Sequence, residues 1–100
     1  MGYDVKFLPG ADRDLIEIDD YLSQFYPSTA AIFFEKLDKK LLLLKEQPYI
    51  GAKYIPNPEY RKLNVGDYLT FYTVDEENRK IEIYRILHGS RDMRQHLEDI

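Results

Sequence analysis

Arg61, Arg85 and His88 are the side chains of this sequence best suited to chemistry on a phosphodiester. Cleavage of RNA through its 2′-hydroxyl needs a cation to hold the phosphate, an acid for the leaving oxygen and a base for the attacking proton. Arginine supplies the first and histidine the second, and a carboxylate or tyrosine can serve as the third. The stretch "RILHGSRDM", residues 85–93, sets Arg85 inside an apolar run and His88 at its end. Tyr68 and Tyr72 lie in the preceding apolar segment, Tyr84 lies in the same one as His88, and Lys62 follows Arg61 directly. Strand alternation would gather Tyr68, Tyr72, Glu82, Tyr84 and His88 on one sheet face.

Each of these residues also has a structural reading. A histidine becomes a catalyst only through its neighbours, and His88 equally suits a strand end. Ser90 is placed to cap a helix, with no base set beside it by spacing. Arg91 and Arg94 fall on exposed positions of a short final helix, where solvent or a partner suits them better than catalysis. Arg85, at an odd position with Ile81, Ile83 and Leu87, would face the core and need a carboxylate, for which Asp92 is the nearby candidate.

These residues must be positioned by strands and helices. Tyr3 to Leu8 reads as a first strand, ended by Pro9-Gly10. From Ala11 the period changes to a helical one, with Ala11, Leu15, Ile18, Leu22 and Phe25 on one stripe. Asp12 and Asp14 fall in its first turn, where carboxylates complement the helix dipole. The acidic stripe Asp12, Glu17, Asp19 and Asp20 suits a solvated face. Ser28 is placed as the cap of a second helix running to about Gln47, with Ala30, Phe33, Phe34, Leu37, Leu41 and Leu44 inward.

After an irregular stretch, residues 48–59, come Tyr60 to Val65, the Gly66-Asp67 turn of type II′ pattern, Tyr68 to Val74, a second turn and Lys80 to His88. Two adjacent hairpins make a three-stranded antiparallel meander. A last helix would carry Met93, Leu97 and Ile100 on one side. The order β-α-α-β-β-β-α is an α+β single domain, residues 1–100, its helical hairpin packed on one face of an antiparallel-rich sheet and the other face left for solvent or a partner.

Composition narrows the function classes. The chain is 44% hydrophobic and 32% charged, the balance of a folded domain rather than a disordered one. With no cysteine it can hold neither a disulfide nor a thiolate metal site. His88 and His96 alone do not make a zinc site, and no cofactor or metal is implied. No apolar signal core or membrane-length run is present, so a cytoplasmic location without a membrane partner is expected. The net charge of −4 argues against a surface that grips nucleic acid throughout. Residues 79–94 nevertheless hold five cations against two carboxylates, a local basic face.

Taken together, "PGADRDLIEIDDYL", "YRKLNVGDYLTFYTVDEE" and "IEIYRILHGSRDM" resemble, in order and over nearly the whole chain, the opening helix, central hairpin and last strand of the RelE/ParE superfamily of toxins from type II toxin–antitoxin systems. The resemblance implies a RelE/ParE-like fold and a small toxin silenced by direct binding of a cognate antitoxin. Two targets follow from it. ParE-like members poison DNA gyrase. RelE-like members cleave mRNA on the ribosome without a metal, and in that case Arg61, His88 and Arg85 would be catalytic. Lys62, Tyr68, Tyr72, Tyr84, Arg91 and Arg94 would then contact target or partner. The "HGSRD" ending, the long helical hairpin and the scarcity of lysines beyond Lys53 and Lys62 favour the gyrase reading, with ribosome-dependent mRNA cleavage second. A third is a remnant that binds antitoxin without toxicity.

Overall fold

The computed structural model describes residues 2–89. The expected last helix, its Ser90 cap and the readings of Arg91, Asp92 and Arg94 lie outside the described residues. The elements are β1 (Asp4–Phe7), α1 (Pro9–Leu22), α2 (Pro27–Glu46), β2 (Ala52–Lys53), β3 (Arg61–Val65), β4 (Tyr68–Asp75) and β5 (Lys80–His88). They build one sheet in the order β1-β5-β4-β3-β2. All pairings are antiparallel except β1 with β5, which is parallel. The α+β architecture and the meander are as the residue pattern predicts. β2, two residues long, lies within the stretch expected to be irregular.

Both helices begin with proline at the first helical position, where its fixed φ fits and its missing N–H costs nothing. Tyr26 therefore holds the cap position of α2, and Ser28, expected as the cap, lies inside the first turn. Ala11 and Ile18 of α1 and Phe33, Leu37 and Leu44 of α2 form one buried cluster with Tyr72, Ile81, Ile83 and Ile86, and Ala30 of α2 is buried as well. Each large apolar side chain buried here contributes about 1.5–3 kcal/mol. Phe25, at the end of the expected stripe, is exposed and stacks edge-on against Tyr21 at the tip of the hairpin.

The β3–β4 turn has Gly66 at φ +60° with a negative φ at Asp67, the type II′ pairing. Between β4 and β5 the register slips. Phe71 lies opposite Arg85 and Tyr72 opposite Ile83, so Tyr84 has no opposite number. This bulge inverts the alternation of β5. Ile81 and Ile83 face the helices before it, and Ile86 and His88 face them after it. Leu87, expected on the helix side, moves to the other face.

That other face is not left open. Residues 54–60 fold back over it, held by the Tyr54 N–H on the Tyr60 carbonyl at 2.8 Å. Tyr54 packs edge-on against Phe71, which is 0% exposed, and Tyr60 against Tyr84. The expectation of a free second face fails here because a loop rich in tyrosine and proline has apolar rings of its own to bury.

Candidate functional site

The bulge decides where the chemically able residues go. Tyr68, Tyr72 and His88 lie on the helix side, and Tyr84 and Lys62 on the other. The single face expected to gather the tyrosines with His88 is thus divided in two. Tyr72, expected to contact a target, is 0% exposed. Its hydroxyl donates to the Pro48 carbonyl (2.8 Å) and accepts from the Gly51 N–H (2.9 Å). Burial raises its pKa, opposed by that Gly51 hydrogen bond. It anchors the chain leaving α2 rather than meeting a partner.

Arg61 turns to the same segment. Its Nη1 donates to the Gly51 carbonyl at 2.8 Å and to the Tyr49 carbonyl at 3.2 Å, and its guanidinium lies 4.9 Å from the centre of the Tyr49 ring. Tyr49 in turn donates its hydroxyl to Glu76, which pushes its pKa up to about 12. Glu76 also accepts from Tyr3, so the β4–β5 turn, the start of the chain and the exit of α2 are tied at one carboxylate.

Arg85 meets a different carboxylate from the one expected. Its Nε and Nη2 donate to Asp14 Oδ2 and Oδ1 at 2.8 and 3.0 Å, and the Ile86 N–H donates to the same Oδ2 at 2.9 Å. β1 ends at Phe7, opposite Ile83, so among the described residues no strand pairs with the edge of β5 beyond it. Asp14 satisfies an amide on that edge and a guanidinium together. The sequence reading assigned Asp14 to the helix dipole, yet its spacing from Ala11 (i+3) and Ile18 (i−4) places it on the buried stripe. That spacing is the signal by which it could have been found.

Above this pair, between α1 and the ends of β4 and β5, opens a cavity of about 360 Å³ lined by Asp14, Glu17, Tyr21, Tyr68 and His88 over an apolar floor that includes Ile18 and Ile86. The Tyr68 and His88 rings meet edge-on, 5.3 Å between centres. Glu17 is exposed, as the solvated-face reading predicts, and also borders the cavity. Among the described residues, the titratable groups of the wall are carboxylates, tyrosines and a histidine. An anion entering would face carboxylate, whereas a basic or amide-rich segment would find acceptors and aromatic surface. Among the described residues no three His, Asp or Glu side chains gather as metal ligands do.

Arg61 and His88 do not converge on one point. Arg61 lies opposite Tyr72 and His88 opposite Tyr68, four residues apart along β4 and roughly 14 Å at strand rise.

The family model described as "ParE toxin of type II toxin-antitoxin system, parDE" matches residues 5–93. The chain belongs to this family. It is accordingly a toxin of a type II toxin–antitoxin system within the RelE/ParE superfamily. No curated protein sequence matches it. Among solved structures, the ParDE system of P. aeruginosa is similar at TM-score 0.70 and 21% identity, covering 86% of this chain and 95% of that one. The toxin–antitoxin complex RelBE2 from Mycobacterium tuberculosis is similar at 0.62 and 23%, covering 88% and 99%. The isolated E. coli RelE toxin is similar at 0.65 and 21%, covering 94% and 92%. The ParE toxin family and RelE thus share this fold across both branches of the superfamily.

Proposed function

We propose that this ParE-family toxin acts by binding, as an inhibitor of DNA gyrase, and is silenced by direct contact with a cognate antitoxin. The observation that carries the reading is the engagement of the two strand arginines, Arg61 and Arg85. Arg61 holds the backbone after α2, Arg85 is paired with Asp14, and His88 stands beside an acid-lined cavity well away from Arg61. A ribonuclease needs a free cation and a proton donor on the same phosphate. The antitoxin reading is supported by relatives of this fold solved as toxin–antitoxin complexes, among them RelBE2 and the archaeal RelE–RelB complex from Pyrococcus horikoshii. The exposed Tyr21, Phe25 and Tyr26 at the hairpin tip offer aromatic surface for such a contact.

Inducing the toxin without antitoxin, while following early incorporation of labelled thymidine and methionine, tests the reading. DNA synthesis should fall first, and purified protein should inhibit gyrase supercoiling. A first fall in protein synthesis, abolished by Arg61→Ala or His88→Ala in folded protein, would establish the ribosomal nuclease instead. No effect on either would leave a protein that only binds antitoxin. Location in the cytoplasm belongs to the same proposal, since both targets are there; among the described residues no helix is long and apolar enough to cross a membrane.

A further inference from the structure

We infer that this chain pairs with a second copy of itself through the outer edge of β1, the two strands running antiparallel about a twofold axis at Val5. The inference is independent of the toxin's target.

Among the described residues, the edge is open at Val5 and Phe7 in hydrogen-bonding terms. Asp4 and Leu8 donate their N–H groups inward, to the carbonyls of Arg79 and Ile83 at 3.0 and 2.9 Å. Residues alternate along a strand, so Val5 and Phe7 turn their N–H and C=O groups away from β5. Beside that edge runs a groove of about 340 Å³, walled by Val5 and Phe7 on the strand and by Leu41 and Leu42 on α2, with Asp38 and Lys45 also on its helix wall. Leu42 is 64% exposed.

Two charge patterns on this surface are self-complementary about the same axis. On the strand, Asp4 and Lys6 flank Val5 and are both exposed on the face away from the helices. An antiparallel copy centred on Val5 sets Asp4 opposite Lys6 of the second copy, twice. Asp4 is already beside Lys80 and Lys6 beside Glu82 within one copy. The joined sheet would then read Lys80, Asp4, Lys6 of the second copy and Glu82 of the second copy, alternating in sign across four strands. Val5 would meet its own equivalent on the helix face, and the Tyr3 carbonyl would receive the Phe7 N–H of the second copy, the Tyr3 N–H being already given to the Lys45 carbonyl.

On the helix, Asp38, Leu42 and Lys45 fall at i, i+4 and i+7, on one face. The Tyr3 N–H donates to the Lys45 carbonyl at 3.0 Å, which sets the level of helix against strand. Two strand residues further on, Val5 lies roughly 6.6 Å along the strand, the length of between four and five helical residues. The helix level with Val5 is therefore near Leu41, about midway between Asp38 and Lys45. The axis that matches Asp4 to Lys6 of the second copy also brings Asp38 towards Lys45 of the second copy, with Leu42 between. Lysine on an edge strand ordinarily discourages pairing. Here it discourages every register except those that return a carboxylate to it, and the twofold closes the contact on a pair of copies rather than a fibre.

The test uses the full chain, prepared without antitoxin, in sedimentation velocity across a wide concentration range, with amide hydrogen exchange read at single residues. The expected result is a reversible dimer in which the Val5 and Phe7 amides become protected as concentration rises. Asp38→Lys and Lys45→Asp should each weaken it about tenfold, through two symmetry-related like-charge contacts. The double variant, which restores opposite charges in swapped places, should recover most of the loss. These helix positions are exposed, so folding is not at stake. A chain that stays monomeric throughout, or a dimer whose Val5 amide exchanges freely, or one indifferent to the charge swap, overturns the inference. Protection of Val5 and Phe7 only when antitoxin is added would overturn it as well, assigning the edge to that partner.

Discussion

Arg85 and Asp14 meet across 71 residues of sequence in a two-point ion pair, and the Asp14 oxygen that receives Arg85 Nε also receives the N–H of Ile86. One carboxylate thus holds α1 to β5 where β1 has ended. Asp14 is 8% exposed at the side chain and Arg85 24%, so removing the carboxylate charge leaves a guanidinium only partly able to reach water. Asp14→Asn should cost about 2–3 kcal/mol in denaturant unfolding, below the range for a fully buried pair. The Asp14→Asn/Arg85→Ala double variant should lose less than the two single losses added.

Gly51 and Gly66 should respond differently to the same methyl group. A Cβ on Gly51 would lie 2.6 Å from the Tyr72 hydroxyl and 2.8 Å from the Lys62 carbonyl, and must push apart the anchor of the segment after α2. A Cβ on Gly66 meets nothing within 4 Å and suffers only from φ +60°. Gly51→Ala should destabilise by about 2–3 kcal/mol and Gly66→Ala by about 1 kcal/mol, measured by thermal unfolding.

Thr70 is 1% exposed, and its hydroxyl oxygen has no hydrogen-bond partner among the described residues. A buried unpaired hydroxyl costs more than the methyl that would replace it. Thr70→Val should raise stability by about 1 kcal/mol; a loss would reveal a bond made by that hydroxyl in solution.

Alkaline pH should act through Glu76. The hydrogen bond Tyr49 donates to it raises the Tyr49 pKa from 10.0 to about 12. Between those values the unfolded chain sheds the proton while the folded chain keeps it, so stability falls as pH rises through the window. Glu76→Ala should flatten that part of the pH–stability curve and bring Tyr49 ionisation, followed by tyrosinate absorbance, back towards its ordinary range.

Arg61→Ala separates structure from toxicity. It removes two carbonyl contacts and a cation from the Tyr49 ring, and should lower stability by about 1–2 kcal/mol. At matched levels of folded protein, growth arrest should persist if inhibition is by binding. Its disappearance would return Arg61 to the catalytic set.

Much of the fold follows from patterns local to the chain. The stripe from Ala11 to Leu22, the run of Phe33, Leu37 and Leu44, the Gly66-Asp67 turn and the alternation of Ile81 with Ile83 each depend on residues within a few positions of one another. Local spacing of this kind determines helices, hairpins and, through the three motifs of the chain, the family. The site was less legible. A single unpaired residue at Tyr84 moved Ile86 and His88 to the helix side and Tyr84 away from them, and a bulge has no signature in an apolar run. Asp14 finds Arg85, and Tyr72 finds Gly51 and Pro48, across gaps that no periodicity spans. Burial decided those partners, because a charge or hydroxyl taken from water accepts whichever donor the packed elements bring within 3 Å. Residue types and local order belonged to the sequence; which groups stayed available to a target was settled only when the sheet and helices closed on one another.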